Sequence, residues 1–363
     1  MNNFSPEKIQ EVLHTKLGKL EKFEQCALLD YPDNFNVGDH LIWLASVFYL
    51  TDIAKTKINY IAASTNFSDS AMEKQVGKAP IFLNGGGNLS DTWQVHQTFR
   101  EEIISKYRDR PIIILPQSIY FTSQSNLEKT AKIFNSHPNL TLFTRDTYSY
   151  ELALKYFYNC EVILSPDMVF HMAGMPELSF NRNPNLPILY HCRQDKELNK
   201  NSSPTSINLP NLIVEDWRSF KWMLGDPKAS PVPVILRRLI RKVWQRGLAT
   251  PQEWVSRQKW HSLHPYAAKF NSLYNSSLHR TSWSFMHSGV YQLKQYRLVI
   301  TNRLHGHILS TLLGIPHIFL PNSYHKNEFF YETWTSKIPF CRFIKDASQI
   351  EANARELLEL FPG

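Results

Sequence analysis

The stretch RLVITNRLHGHILSTLLGIPHIFLPNSYHK, residues 297–326, decides the fold. Leu298 to Thr301 is a short apolar run rich in β-branched residues and reads as a buried strand. Asn302 is the expected helix cap, and Leu304, Ile308 and Leu312 recur on one face of a 3.6-residue period. Gly314 and Pro316 stop the helix. His317 to Leu320 reads as a second strand. Arg303 and His305 stand at the helix start, where free N–H groups and the positive dipole end suit an anion. The guanidinium adds a ligand for phosphate or carboxylate. The imidazole adds a group that moves protons near neutral pH. The same spacing also fits a surface turn that happens to carry Arg and His.

Upstream the pattern repeats. Apolar runs at Gln25–Leu29, Lys57–Ala63, Pro80–Asn84, Pro111–Leu115, Leu140–Phe143 and Val162–Leu164 read as strands, most followed by a loop and a helical period. That alternation implies a parallel, doubly wound sheet. Such sheets hold ligands at the carboxyl ends of their strands. Asp39, the glycines of GGGNLSD (85–91), Gln117, Arg145 and Asp167 all follow predicted strands. The glycine run is expected to be a loop that lets backbone approach a ligand. Asp39 is expected to cap the helix after it. A polar, Pro- and Asn-rich stretch at 177–187 reads as a linker. A second unit opens with the strand at 187–192, followed by Arg193, Asp195 and Glu197. An amphipathic helix over 347–360 ends the chain.

The chain has 363 residues, 43% of them hydrophobic and 20% charged, and a formal net charge of +8. That length exceeds what one core comfortably serves, so two domains are expected. The composition is that of a soluble globular protein. The positive balance favours anionic partners, but no nucleic-acid-binding signature is present, so none of these partners is expected to be nucleic acid. The four cysteines lack paired spacing, which argues against a disulfide framework and a structural zinc. No metal-ligand spacing is evident and no cofactor is expected. The N-terminus lacks the apolar core of a signal peptide, and no run is long enough to span a membrane. The expected place is the cytoplasm, with the inner face of the membrane as an option. The option rests on residues 234–246, VILRRLIRKVWQR, a basic amphipathic helix. Its apolar side is expected to pack on the domain; contact with an anionic membrane is the alternative.

Taken in order, several motifs point one way. They are NVGDHLI (36–42), LNGGGNLSD (83–91), ILPQSIYF (114–121), TRDTYS (144–149), SPDMVF (165–170), YHCRQDKE (190–197), VITNRLHGHILSTLLGIPHIFL (299–320) and NSYHKNEFFYETW (322–334). In this series the chain resembles the polysaccharide pyruvyl transferase family over nearly its whole length, residues 200–290 excepted. The resemblance implies an α/β protein of two Rossmann-like doubly wound domains facing across a cleft, similar to GT-B glycosyltransferases. The expected divisions are 1–180 on the acceptor side, 187–342 on the phosphoenolpyruvate side, and a helix in 343–363 packing back on the first domain. It implies transfer of a carboxyethylidene group from phosphoenolpyruvate to two hydroxyls of a sugar, giving a pyruvate ketal on a polysaccharide or its precursor. Phosphoenolpyruvate is then a donor substrate, and the acceptor a saccharide that can be lipid-linked. The family's donor-binding residues match Arg193 and the run Arg303, Leu304 and His305. This chain has Asn322 and His325 where the family often has an acidic residue and a glycine, which puts the loop around Lys326 in question.

The chemistry fits those residue types. Phosphoenolpyruvate carries a phosphate and a carboxylate on a small frame, so it needs at least two cationic donors and an anion-friendly backbone end. Protonation of its C3 needs a general acid, for which His305 is the candidate. The acceptor hydroxyls need a base, for which Asp39 or the phosphate itself can serve. The expected substrate-binding set is Arg193, Arg303, Leu304, Gly306, Gly86, Gly87, Asn88 and Lys326. Arg145 and Asp146 are expected to form a salt bridge within their turn. Two other functions fit less well: a GT-B glycosyltransferase using a nucleotide sugar, and a non-catalytic glycan-assembly protein.

Overall fold

The computed structural model describes residues 4–181, 183–193, 207–222, 233–245, 250–262, 264–323 and 325–362. Asp195, Glu197 and Arg246 lie outside the described residues. The first sheet is built from β1 (Gln25–Leu29), β2 (Lys57–Ala62), β3 (Ile81–Leu83), β4 (Gly86–Ser90), β5 (Ile112–Tyr120), β6 (Leu140–Thr144) and β7 (Glu161–Leu164). Its order is β2-β1-β3-β5-β6-β7, with β4 beside β5, and every pairing is parallel. The second sheet contains β8 (Ile188–His191), β9 (Leu212–Glu215), β10 (Leu298–Thr301), β11 (His317–Phe319) and β12 (Cys341–Phe343). Its order is β12-β11-β10-β8-β9, again all parallel.

Side-chain alternation along the strands sorts the core into layers. Ala27, Leu29, Ile81, Leu83, Ile112 and Ile114 face one side of the first sheet. Leu28, Phe82, Ile113 and Phe143 face the other, in a core that continues to Leu189, Val299 and Phe319 of the second sheet. Between the two sheets lie the helices Val37–Phe48 and Ser276–Leu293, packed against each other. The far side of the second sheet is covered by the C-terminal helix Ile350–Leu360. Its Ile350, Ala354 and Leu357 share a core with Ile188, Tyr190, Leu298 and Ile318. The helix therefore does not pack back on the first unit as expected; its apolar stripe matches the sheet nearest to it in the chain.

Three local expectations change. The run GGGNLSD is not only a loop: Gly86–Ser90 forms β4, with Gly86 opposite Gln117 and Leu89 opposite Ile119. Asp39 does not cap its helix, because Asn36 does, accepting from the Gly38 amide at 3.2 Å. Asn302 does not cap either. The helix Leu304–Leu312 begins after Arg303 without a side-chain cap, and Asn302 Oδ1 accepts from the Arg193 amide at 3.0 Å. Asn302 thus ties the end of β8 to the end of β10. No helix among the described residues is long and apolar enough to cross a membrane.

Candidate active site

The carboxyl ends of strands from both sheets open on one cleft of about 670 Å³. Of the expected site residues, Asp39, Gly87, Asn88, Arg193, Arg303, Leu304, His305 and Lys326 line it. Gly86 and Gly306 do not. Gly306 serves its neighbours instead: a Cβ there would stand 2.6 Å from both His191 Nδ1 and Thr301 Oγ1. Only glycine lets this helix start sit so close to β8 and β10, which sets where Arg303 and His305 emerge.

His305 leaves the second sheet and meets Asp167 from the end of β7. Its Nε2 lies 3.5 Å from Asp167 Oδ2, and both residues are buried. That spacing is long for a hydrogen bond. The other side of the ring lies against the first turn of the Val37–Phe48 helix, where a Cβ on Gly38 would overlap it. Asp167 also accepts from Arg145 Nη1 at 2.6 Å and from the Val169 amide at 2.9 Å. Burial pushes the Asp167 carboxyl up. The polar contact with His305 and the charges of Arg145 and His305 outweigh it and hold the group at about 2. Asp167 is therefore an anion at any physiological pH, facing the imidazole. Arg145 and Asp146 do not pair with each other as expected. Asp146 caps the helix Thr147–Tyr156 through the Ser149 amide and accepts from Ser118 Oγ at 2.7 Å, which leaves Arg145 to reach Asp167.

Arg303 forms a two-point ion pair with Asp216, just past β9. Its Nη2 donates to Asp216 Oδ2 at 2.7 Å and its Nε to Oδ1, and Phe220 lies under the guanidinium at 5.1 Å. This holds the Nε/Nη2 edge of the fork. Arg193, fixed by Asn302, lines the same cleft. Behind them His191 is fully buried, and burial together with Arg303 and Arg193 pushes its pKa far down, so it stays neutral.

The first sheet supplies the opposite wall. Asn34 donates to Asp39 Oδ2 at 2.9 Å and so holds that carboxylate at the cleft. Asn88 Oδ1 accepts from Arg100 Nη2 at 2.9 Å and from Gln117 Nε2 at 3.1 Å. Lys326 Nζ comes in against Gly87. Trp93 and His96 complete this side. His96 Nδ1 bonds Asp30 Oδ1 at 2.7 Å. Burial pulls the His96 pKa down, but the hydrogen bond and charge of Asp30 outweigh it and raise the group above its ordinary value.

The sequence does not single out Asp216, Trp93, His96 or Phe220 of the cleft, nor Asp30 behind His96, and marks Asp167 only as a residue that follows a strand. Asp30 follows β1, which the apolar run Gln25–Leu29 announces, so strand-end position is a signal for it; Asp216 follows β9, a strand the sequence reading does not expect. Among the described residues one group has metal-ligand atoms in reach of one another: His307, His317 and Cys341, all buried. Sequence spacing did not suggest it. His307 Nδ1 meets His317 Nε2 at 2.8 Å, and His317 Nδ1 donates to the Ile315 carbonyl at 2.8 Å. Its hydrogen bonds are satisfied without an ion, and it lies outside the cleft.

The family model described as polysaccharide pyruvyl transferase matches residues 36–324. Pyruvyl transferase 1 of Schizosaccharomyces pombe is 30% identical over 314 residues, covering 83% of this chain and 67% of that protein. The putative pyruvyl transferase EpsO of Bacillus subtilis is 29% identical over 343 residues, covering 94% of this chain and 95% of its own. A crystal structure of an uncharacterized protein from Klebsiella pneumoniae superposes with a TM-score of 0.56 at 18% identity, covering 95% of this chain and 99% of that one. At that identity it shows the fold alone.

Proposed function

The chain belongs to the polysaccharide pyruvyl transferase family, and from that premise we propose that it transfers a carboxyethylidene group from phosphoenolpyruvate to two hydroxyls of one sugar. The two parallel sheets are read as Rossmann-like halves in a GT-B-like pair, divided near residues 180–187. The donor lies on the second half and the acceptor on the first. The observation that carries the reading is convergence: Arg193, Arg303 and His305 come from two strand ends of one sheet to one cleft.

In this reading the phosphate and carboxylate of the donor meet Arg193, Arg303 and the amides at the start of the Leu304–Leu312 helix. Arg303 meets the donor anion with its guanidinium held in place by Asp216 and Phe220. His305 gives its proton to C3, and the vinyl carbon becomes a methyl group. Positive charge then develops at C2, and a sugar hydroxyl adds there as its proton passes to a base. Asp39 is the assigned base, held at the facing wall by Asn34. Phosphate leaves C2 with the bonding pair, and the second hydroxyl closes the ketal as its proton goes to the departing phosphate. One hydroxyl proton thus balances the proton spent on C3, and the other leaves with phosphate. Asp167 acts as a positioning residue: its carboxylate, held by Arg145, faces the imidazole Nε2 at 3.5 Å and orients the ring. Trp93 and Phe220 offer flat apolar surface for a sugar ring.

The test is incubation with phosphoenolpyruvate and a panel of sugar acceptors, followed by mass spectrometry. An acceptor carrying one acid-labile carboxyethylidene group, with phosphate released, is the expected result. Thermal stabilisation by nucleoside diphosphates that exceeds stabilisation by phosphoenolpyruvate would instead point to a nucleotide-sugar enzyme.

A further inference from the structure

The helix Val234–Gln245 has an apolar face that nothing among the described residues covers. Wound at 3.6 residues per turn, Ile235, Leu236, Leu239, Ile240, Val243 and Trp244 fall in one continuous arc. Arg237, Arg238, Arg241 and Lys242 occupy the rest. Sequence reading expected the apolar arc to pack inward. The structure turns most of it outward: Ile235 is 75% exposed, Leu239 55%, Leu236 47% and Val243 43%. The helix seats itself by the edge, through half-buried Ile240 and Trp244 and through Arg241, whose guanidinium lies 4.9 Å over the Phe35 ring. Its outward face is thus an apolar stripe bordered by exposed Arg238 and Lys242.

A contiguous exposed apolar stripe marks a contact surface. Flanking cations select an anionic one, and a stripe of this kind along a helix fits the plane of a lipid interface. The position has a second consequence. Phe35 lines the cleft, and its carbonyl accepts from Ser219 Oγ at 2.7 Å in the short turn that carries Phe220 against Arg303. The helix is therefore one layer from the cleft mouth. We propose that the Val234–Gln245 helix docks the protein on an anionic phospholipid bilayer, with its apolar stripe in the interface and Arg238 and Lys242 against lipid phosphates. The docking stands on the helix alone. Its use, presenting the cleft to a saccharide carried on a lipid, rests on the transferase reading above.

The experiment is co-sedimentation of the full chain with vesicles of phosphatidylcholine alone and of phosphatidylcholine mixed with phosphatidylglycerol. The wild type is compared with Ile235→Asp/Leu239→Asp and with Arg238→Glu/Lys242→Glu. All four positions are exposed, and matching thermal melts verify that each variant folds. Binding to the anionic vesicles should exceed binding to the neutral ones by roughly tenfold or more, and each double variant should lose about that factor. No binding of the wild type to anionic vesicles would overturn the proposal. So would undiminished binding by the Asp variant. A lipid-free dimer that the Asp variant dissociates would show instead that a second copy covers the stripe. Phosphoenolpyruvate binding by calorimetry, run on the same samples, reads the cleft separately: docking without donor binding supports the helix assignment and contradicts the donor site.

Discussion

His305 Nε2 and Asp167 Oδ2 lie 3.5 Å apart although 138 residues and two different sheets separate them along the chain (305 less 167). The pair couples the two walls of the cleft. If His305 is the acid that protonates C3, His305→Gln should lower kcat by roughly 10²–10⁴-fold while the affinity for phosphoenolpyruvate stays close to that of the wild type. Asp167→Asn should lower kcat without matching loss of donor affinity, and should displace the pH profile of kcat. Equal turnover in wild type and His305→Gln would remove the acid assignment.

Asp167 also links structure to pH. Its folded value of about 2 lies below its unfolded value near 3.9, so the ion stabilises the fold above the unfolded value. That contribution falls away as pH drops through the folded value. Asp167→Asn leaves buried Arg145 without its carboxylate and should cost on the order of 3–5 kcal/mol at neutral pH. Urea unfolding of both proteins should show the gap narrowing between about pH 4 and pH 2. A gap that stays constant over that range would contradict the pairing.

The His96–Asp30 pair predicts the opposite slope. A histidine with a raised folded pKa stabilises the fold below its unfolded value near 6.5, and this is lost as pH rises through the folded value. His96→Gln should therefore destabilise more at about pH 6 than at about pH 9. Direct NMR titration should place the His96 ring above its ordinary value, and a value below it would refute the assignment.

Gly38 gives a steric test. A Cβ at this position overlaps the His305 ring on its Nδ1 side, so Gly38→Ala must shift the imidazole from its place between Gly38 and Asp167. The backbone there is helical, so the stability cost should stay at about 1–3 kcal/mol. Turnover should fall far more than that cost implies for folding. An Ala variant with wild-type kcat would show that the ring position does not matter.

The parallel architecture was legible because strands covered on both faces are written as nearly unbroken apolar runs. Gln25–Leu29 and Leu298–Thr301 were read to the residue. That Arg193, Arg303 and His305 meet at one cleft was legible because strand-end position and motif agreed. Capping was read less well. Asp39 and Asn302 have the right side chains, but each is claimed by a distant partner or a better-placed neighbour. Asp146 likewise is spent on its own helix, so Arg145 finds Asp167 across 22 residues. Such choices depend on which strand ends become neighbours, and local sequence does not encode that. The Val234–Gln245 helix shows the same limit: its amphipathic pattern is plain in the sequence, but only packing decides which face turns outward.

The most direct measurement is calorimetric titration of phosphoenolpyruvate into wild type, Arg193→Ala and Arg303→Ala. The account predicts binding by the wild type and a loss of roughly tenfold or more in each variant, as removal of a charged hydrogen-bond donor implies. A wild type that does not take up phosphoenolpyruvate with or without acceptor present, or variants that bind it as tightly as the wild type, would contradict it.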